Sequence, residues 1–144
     1  GQLGALSGLV PILCETPLEP HRARLLSRGR DLCLVSSSET TWGASEAAVR
    51  LRAAGVGITH LHVSTLRPLD DPMLVRAIAG TGGVLTLEPA SSAGLLGSAI
   101  AELIARRGLG CRQVSLVEVA AVELAAARLM EQAAAKGRRA LSVC

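Results

Sequence analysis

Aromatic side chains are almost missing from this chain of 144 residues, which has no Phe, no Tyr and the single Trp42. Any core must therefore be assembled from Leu, Val, Ile and Ala, which supply most of a 49% hydrophobic content. Side chains of this kind suit close packing of helices on a sheet. With so few stacking aromatics, and with 15 basic and 12 acidic residues scattered rather than gathered into a stripe, a nucleic-acid partner is not expected. No apolar run approaches the roughly 20 residues that cross a bilayer. The opening Gly1 to Val10 lacks the basic start and long apolar stretch of a secretory signal. The expectation is a soluble, cytoplasmic protein with no membrane partner.

Cysteine is sparse and dispersed. Cys14, Cys33, Cys111 and Cys144 include no C-x-x-C pair, which argues against a zinc site or a thioredoxin-like redox pair and leaves four free thiols. Cys33 lies in an apolar run and reads as a small buried hydrophobe, whereas the terminal Cys144 is open to adventitious cross-linking. The length suits one compact domain, large enough to bury roughly two thirds of the surface of its unfolded chain.

What is present is an alternation of short β-type runs and amphipathic helical stretches. Residues 1–19, with prolines at 11 and 17 and no sustained period, read as a linker or N-terminal arm, and residues 20–144 as the domain. The absence of a starting Met fits a piece of a longer polypeptide as well as a processed start. Leu32 to Val35 is the first clear strand. A helix follows, capped by Thr40 or Thr41, with Ala44, Ala47, Ala48 and Leu51 on one face and an end at Gly55. Ile58 to Val63 is the next strand. Asp70 as N-cap and Pro72 in the first turn open a helix bearing Met73, Leu74, Ala77 and Ile78, stopped by Gly80. Val84 to Leu87 gives a third strand, followed by a helix with Leu95, Leu96, Ala99, Ile100, Leu103 and Ile104 on its apolar face, ending near Gly108. Strand Gln113 to Val117 then leads into an Ala-rich helix from about Ala120 to Lys136, with Gly137 as its stop. Four strand-then-helix units with short connections predict parallel neighbours covered on both faces, a three-layer α/β/α sandwich.

Several of these segments carry a family likeness. Asp31-Leu-Cys-Leu-Val-Ser-Ser, Glu39-Thr-Thr-Trp42 opening a helix, Leu66-Arg67-Pro68-Leu69-Asp70 after the second strand, Val84-Leu-Thr-Leu-Glu88 and Gly94-Leu-Leu-Gly97 together resemble the C-terminal domain of the transketolase family. The likeness covers about residues 20 to 135. The same module is shared by transketolases, deoxyxylulose-phosphate synthases and the β subunits of 2-oxoacid dehydrogenases. The resemblance implies a five-stranded, mostly parallel sheet with one antiparallel strand, here around Ala23 to Leu26. It also implies partner domains or subunits that bind thiamine diphosphate and Mg, with no cofactor held by this chain, and a homodimer that this domain buttresses at the rim of the active site. Where the family tends to continue Glu88 with a second acid and a histidine, this chain reads Pro89-Ala90-Ser91-Ser92. After Val117 the usual Phe- and Gly-containing segment is replaced by Glu118-Val-Ala-Ala-Val. No G-D-G stretch exists, Asn is wholly absent, and Trp42 alone could stack on an aminopyrimidine ring.

Candidate residues have structural readings beside functional ones. Gly94 and Gly97, at the start of a helix, would let backbone amides approach an anion. Yet G-x-x-G lacks the third glycine of a dinucleotide fingerprint, and close packing explains it as well. Arg67 sits where open α/β sheets place ligands and could hold a phosphate or carboxylate, the alternative being a salt bridge with Asp70 or Asp71. Glu39 and Glu88 could pair as acids at the C-terminal sheet edge, although Glu39 is also explained by the helix dipole. His60 and His62 share a strand face, but no third metal ligand lies in that run, and His21 has no evident relay partner. Ser36-Ser37-Ser38 follows a strand without a G-x-S-x-G elbow or an evident histidine partner, so it reads as turn chemistry. Trp42 caps the core or anchors an interface. No set of these residues completes a catalytic constellation. The leading expectation is a non-catalytic domain of a thiamine-diphosphate transferase or 2-oxoacid dehydrogenase component, inactive alone. The rivals are a free-standing module that binds a phosphorylated small ligand through Arg67 and the Gly94 to Gly97 turn, and a purely structural interaction domain.

Overall fold

The structure is a computed structural model that describes residues 23–64, 66 and 69–143, with side chains described as far as residue 135. Five strands form one sheet in the order β1-β3-β2-β4-β5, where β1 is Arg24–Ser27, β2 Leu32–Ser37, β3 Ile58–Val63, β4 Val84–Leu87 and β5 Gln113–Leu116. Strand β1 runs antiparallel to β3 and the other pairings are parallel. The fold class expected from the four βα units is therefore present, and so is the extra antiparallel strand, one residue later than Ala23 to Leu26. The expected arm at 1–19, together with Cys14, His21, Arg67 and Cys144, lies outside the described residues.

Four helices complete the layers: α1 Thr40–Ala53, α2 Pro72–Ala79, α3 Leu95–Arg107 and α4 Val122–Val143. Strand alternation sends Leu32, Leu34, Ile58, Leu85 and Leu87 to one face, where they meet Ala44, Ala47, Ala48 and Leu51 of α1 and Val122, Ala125, Ala126 and Leu129 of α4. The spacing of that last group fixes the inward side of the Ala-rich helix, which composition alone leaves blurred. The opposite face gathers Cys33, Val35, Leu61, Val63 and Val84 against Leu74 and Ile78 of α2 and Leu96, Ile100 and Leu103 of α3. Cys33 is fully buried there, and burial pushes its thiol up to about 12.

Three local expectations are corrected. The N-cap of α2 is Asp71, not Asp70. Asp71 precedes Pro72 with the extended backbone such a residue prefers, and its Oδ1 accepts from Met73 N at 2.8 Å while Oδ2 accepts from Ala23 N at 2.8 Å. Asp70 instead pairs with Arg107 of α3 at 2.5 Å, and this hydrogen bond holds its carboxyl below the usual range. Helix α1 is capped by neither Thr40 nor Thr41. The Thr40 hydroxyl donates to the carbonyls of Ser37 and Leu87, and the Thr41 hydroxyl turns toward His62. Gly137 does not stop α4, which continues to Val143; one glycine costs an exposed helix only about 1 kcal/mol against alanine.

One glycine contact is closed to any side chain. A Cβ at Gly29 would lie 2.2 Å from Ile58 N and 2.3 Å from the Gly57 carbonyl carbon. Thr59 Oγ1 also accepts from Gly29 N at 3.0 Å and donates to Gly29 O at 2.6 Å, which seats the β1–β2 turn against β3.

Candidate functional site

The C-terminal ends of β2 and β4 lie side by side, and the chain leaves them toward opposite faces, as at the ligand-binding crevice of open α/β sheets. Here the crevice is filled from within. Glu88, only 2% exposed, turns its carboxylate under the first turn of α3, where Oε1 accepts from Leu96 N at 3.0 Å and Oε2 from Gly97 N at 2.9 Å. The helix has no side-chain cap of its own, because its N-cap Gly94 adopts φ +95° and carries no hydroxyl or carboxylate. The chain's own Glu88 thus supplies the negative charge that a helix N-terminus attracts. Gly97 is needed for the same approach, since a Cβ there would stand 2.6 Å from Ser115 Oγ and 3.3 Å from Glu88 Oε2. Glu39, by contrast, is exposed at the N-cap of α1 and is not brought onto Glu88.

A second arrangement was not legible as a unit in the sequence. Parallel pairing of β2 with β3 sets Leu34 opposite His60 and Ser36 opposite His62, all on the α1 side of the sheet. Ser36 Oγ lies 2.8 Å from His60 Nε2 and 2.8 Å from Thr41 Oγ1, and Thr41 Oγ1 lies 2.6 Å from His62 Nδ1. The serine therefore does have a histidine partner, a correction to the turn reading. His60 is 1% exposed and Ser36 fully buried, so this chain of four polar groups is sealed at its inner end. Burial, and then the charges of His62 and Arg52, hold His60 down to about 4; burial, and then Arg24, lower His62. Both imidazoles are neutral near pH 7, each able to donate from one nitrogen and accept at the other.

His62 opens into a groove of about 400 Å³. Its floor is His60 and His62, one wall is Arg24 and Leu26 of β1, and the other is Trp42, Ser45, Val49 and Arg52 of α1, one stripe at helical spacing. Ser38 and Glu39 form the rim, and Ser38 holds φ +53°, a left-handed backbone rare outside glycine. Trp42 is 43% exposed and Val49 58%. The one aromatic side chain of the protein thus stands on a groove wall rather than in the core.

These groups do not make a nucleophile. Ser36 is fully buried and bonded to Thr41, and among the described residues the hydrogen-bond partners of the two imidazoles are hydroxyls rather than an acid. Among the described residues no three or more His, Cys, Asp or Glu side chains cluster to hold a metal ion. No helix among the described residues is long and apolar enough to cross a membrane.

Comparison with known proteins places this geometry. The family model "Transketolase, C-terminal domain" matches residues 21–138. A transketolase family protein of Sinorhizobium fredii is 36% identical over 118 residues, covering 77% of this chain and 34% of its own length. The 1-deoxy-D-xylulose-5-phosphate synthase of Thermomicrobium roseum is 36% identical over 101 residues, covering 69% of this chain and 16% of the synthase. Among solved structures, a split-gene transketolase in an inactive beta4 tetramer superposes with a TM-score of 0.63 at 32% identity, covering 82% of this chain and 39% of that one. The chain thus spans about a third or less of the curated relatives it matches. On the family match, the sheet order and the relatives together, it belongs to the transketolase family, as a C-terminal domain of that family.

Proposed function

We propose that this chain is the non-catalytic C-terminal domain of a thiamine-diphosphate-dependent transketolase-like enzyme of the cytoplasm, inactive alone, which supports homodimer formation and forms the rim of the active site. The observation that carries the reading is the family match over residues 21–138 in relatives that extend far beyond it. In this reading other domains or subunits hold the magnesium and the diphosphate, and this domain acts by packing against them. Two features support a packing role: a core sealed on both sheet faces, and Trp42 and Val49 left exposed on one helix. The rival module, which would seat a phosphate on the Gly94 to Gly97 turn, is disfavoured because Glu88 already takes the amides of Leu96 and Gly97. Arg67 remains a proposed contact at the rim.

The experiment is a two-carbon transfer assay on the thiamine-diphosphate-binding portion of the enzyme, with and without this domain. Activity and dimerisation are both expected to need the domain. Full activity of a stable dimer that lacks residues 21–138 would reject the proposal.

A further inference from the structure

Two histidines and two hydroxyls form one unbranched row: His60 Nε2, Ser36 Oγ, Thr41 Oγ1 and His62 Nδ1, with successive separations of 2.8, 2.8 and 2.6 Å. These three hydrogen bonds need three hydrogens. Each hydroxyl has one to donate, so the pair fills two of the bonds, and an imidazole at one end must supply the third. If neither ring donates into the row, one bond is empty; if both do, two hydrogens meet in one gap. With both rings neutral, the row has two complete arrangements. In the first, His60 Nε2–H donates to Ser36, Ser36 to Thr41 and Thr41 to His62 Nδ1, which leaves the hydrogen of His62 on Nε2. In the second every bond points the other way, and both rings carry their hydrogen on Nδ1. Ser36 is fully buried and His60 1% exposed, so water is kept from the inner end and an unmade bond there keeps its full desolvation cost.

We infer that the row is a two-position relay in which the imidazoles of His60 and His62 hold the same tautomer, both Nε2–H or both Nδ1–H, so that the group bonded to His62 at the groove sets the tautomer of the sealed His60. His62 is the half-buried, groove-lining end, and Nε2 is its ring nitrogen outside the row. An acceptor bonded there selects the first arrangement, and a donor selects the second. The charged groups beside the rings are Arg24 of β1, Arg52 of α1 and Glu39 at the rim; the two guanidinium groups and burial disfavour a ring cation, which keeps both imidazoles in the neutral forms that the relay requires. Thr41 belongs to the first turn of α1, so the direction of its hydroxyl carries the state of the groove from helix to sheet. The relay rests on these four side chains alone. It holds whether or not a partner domain packs on the Trp42 wall, and a partner seated there would set it through the group it places on His62.

Nuclear magnetic resonance of the chain labelled with nitrogen-15 histidine, near pH 7, reads which nitrogen of each ring is protonated. In the native chain His60 and His62 are expected to carry the hydrogen on the same nitrogen. His62→Asp places a carboxylate oxygen, which only accepts, where Nδ1 stood, and should hold His60 entirely as Nε2–H. Adding Thr41→Val to His62→Asp cuts the row and leaves the Ser36 hydroxyl with His60 Nε2 as its acceptor, so His60 should switch to Nδ1–H. Adding Thr41→Ser instead keeps a hydroxyl in the middle and should keep His60 as Nε2–H. Three results would overturn the proposal: different tautomers at the two histidines of the native chain, Nδ1–H at His60 in His62→Asp, or Nε2–H kept at His60 when Thr41→Val is added. The native chain and the single variant decide the matter even where the double variant does not fold.

Discussion

Acid should unfold this domain by a route that His60 controls. The imidazole is 1% exposed, and its pKa is held at about 4 against an ordinary value of 6.5. A folded-state pKa below the unfolded one means that between these values the unfolded chain binds the additional proton, so stability falls as pH falls through this window. Integrating the linkage gives a loss of about 2 kcal/mol on going from pH 7 to pH 5, rising to about 3 kcal/mol below pH 4. Against a domain stability of about 5–15 kcal/mol that is a large fraction. The assay is urea unfolding followed by far-ultraviolet circular dichroism at pH 7 and pH 5, for the native chain and for His60→Gln, whose amide can still bond to Ser36. The native chain should lose midpoint steeply over this interval. The variant, less stable at pH 7, should lose about 2 kcal/mol less, while His62 continues to titrate in the same direction in both. Equal losses in the two proteins would show that His60 is not held neutral by burial.

Other substitutions probe the framework. Gly29→Ala places a Cβ 2.2 Å from a backbone nitrogen of β3 and should cost about 3 kcal/mol or more in chemical denaturation, with loss of the β1–β3 register. Glu88→Leu strips the acceptor from the Leu96 and Gly97 amides and should cost about 2–5 kcal/mol, with Glu88→Gln intermediate because its amide retains one acceptor oxygen. Sedimentation should show concentration-dependent self-association consistent with a domain that supports dimers, whereas a strict monomer at high micromolar concentration would count against that role.

The fold was legible because its signals are local. Apolar alternation in Ile58 to Val63, Pro72 at a first helical turn and the left-handed Gly108 after α3 each act within a few residues. At the start of α2 two adjacent aspartates compete for the cap, and Asp71 takes it because it directly precedes Pro72 and bonds Met73 N and the distant Ala23 amide, while Asp70 is drawn to Arg107. Candidate-site residues were individually visible but not as a set. Glu88 was noted as a crevice acid, yet its role depends on a hydrogen bond eight residues along the chain and on the space left by Gly97. The link from His60 through Ser36 and Thr41 to His62 depends on the register of β2 against β3, which no run of residues announces. His60 and His62 at alternate strand positions were the available clue, and the exposure of the sole tryptophan could be seen only once α1 had been placed on the sheet.

In the proposed function this domain serves a thiamine-diphosphate enzyme without holding the cofactor itself. Isothermal calorimetry with magnesium and thiamine diphosphate tests it most directly, on this chain and on a polypeptide that also contains the cofactor-binding domains. One-to-one binding is expected from the longer polypeptide and no saturable heat from this chain. A saturable heat of one-to-one stoichiometry from the chain alone would contradict it.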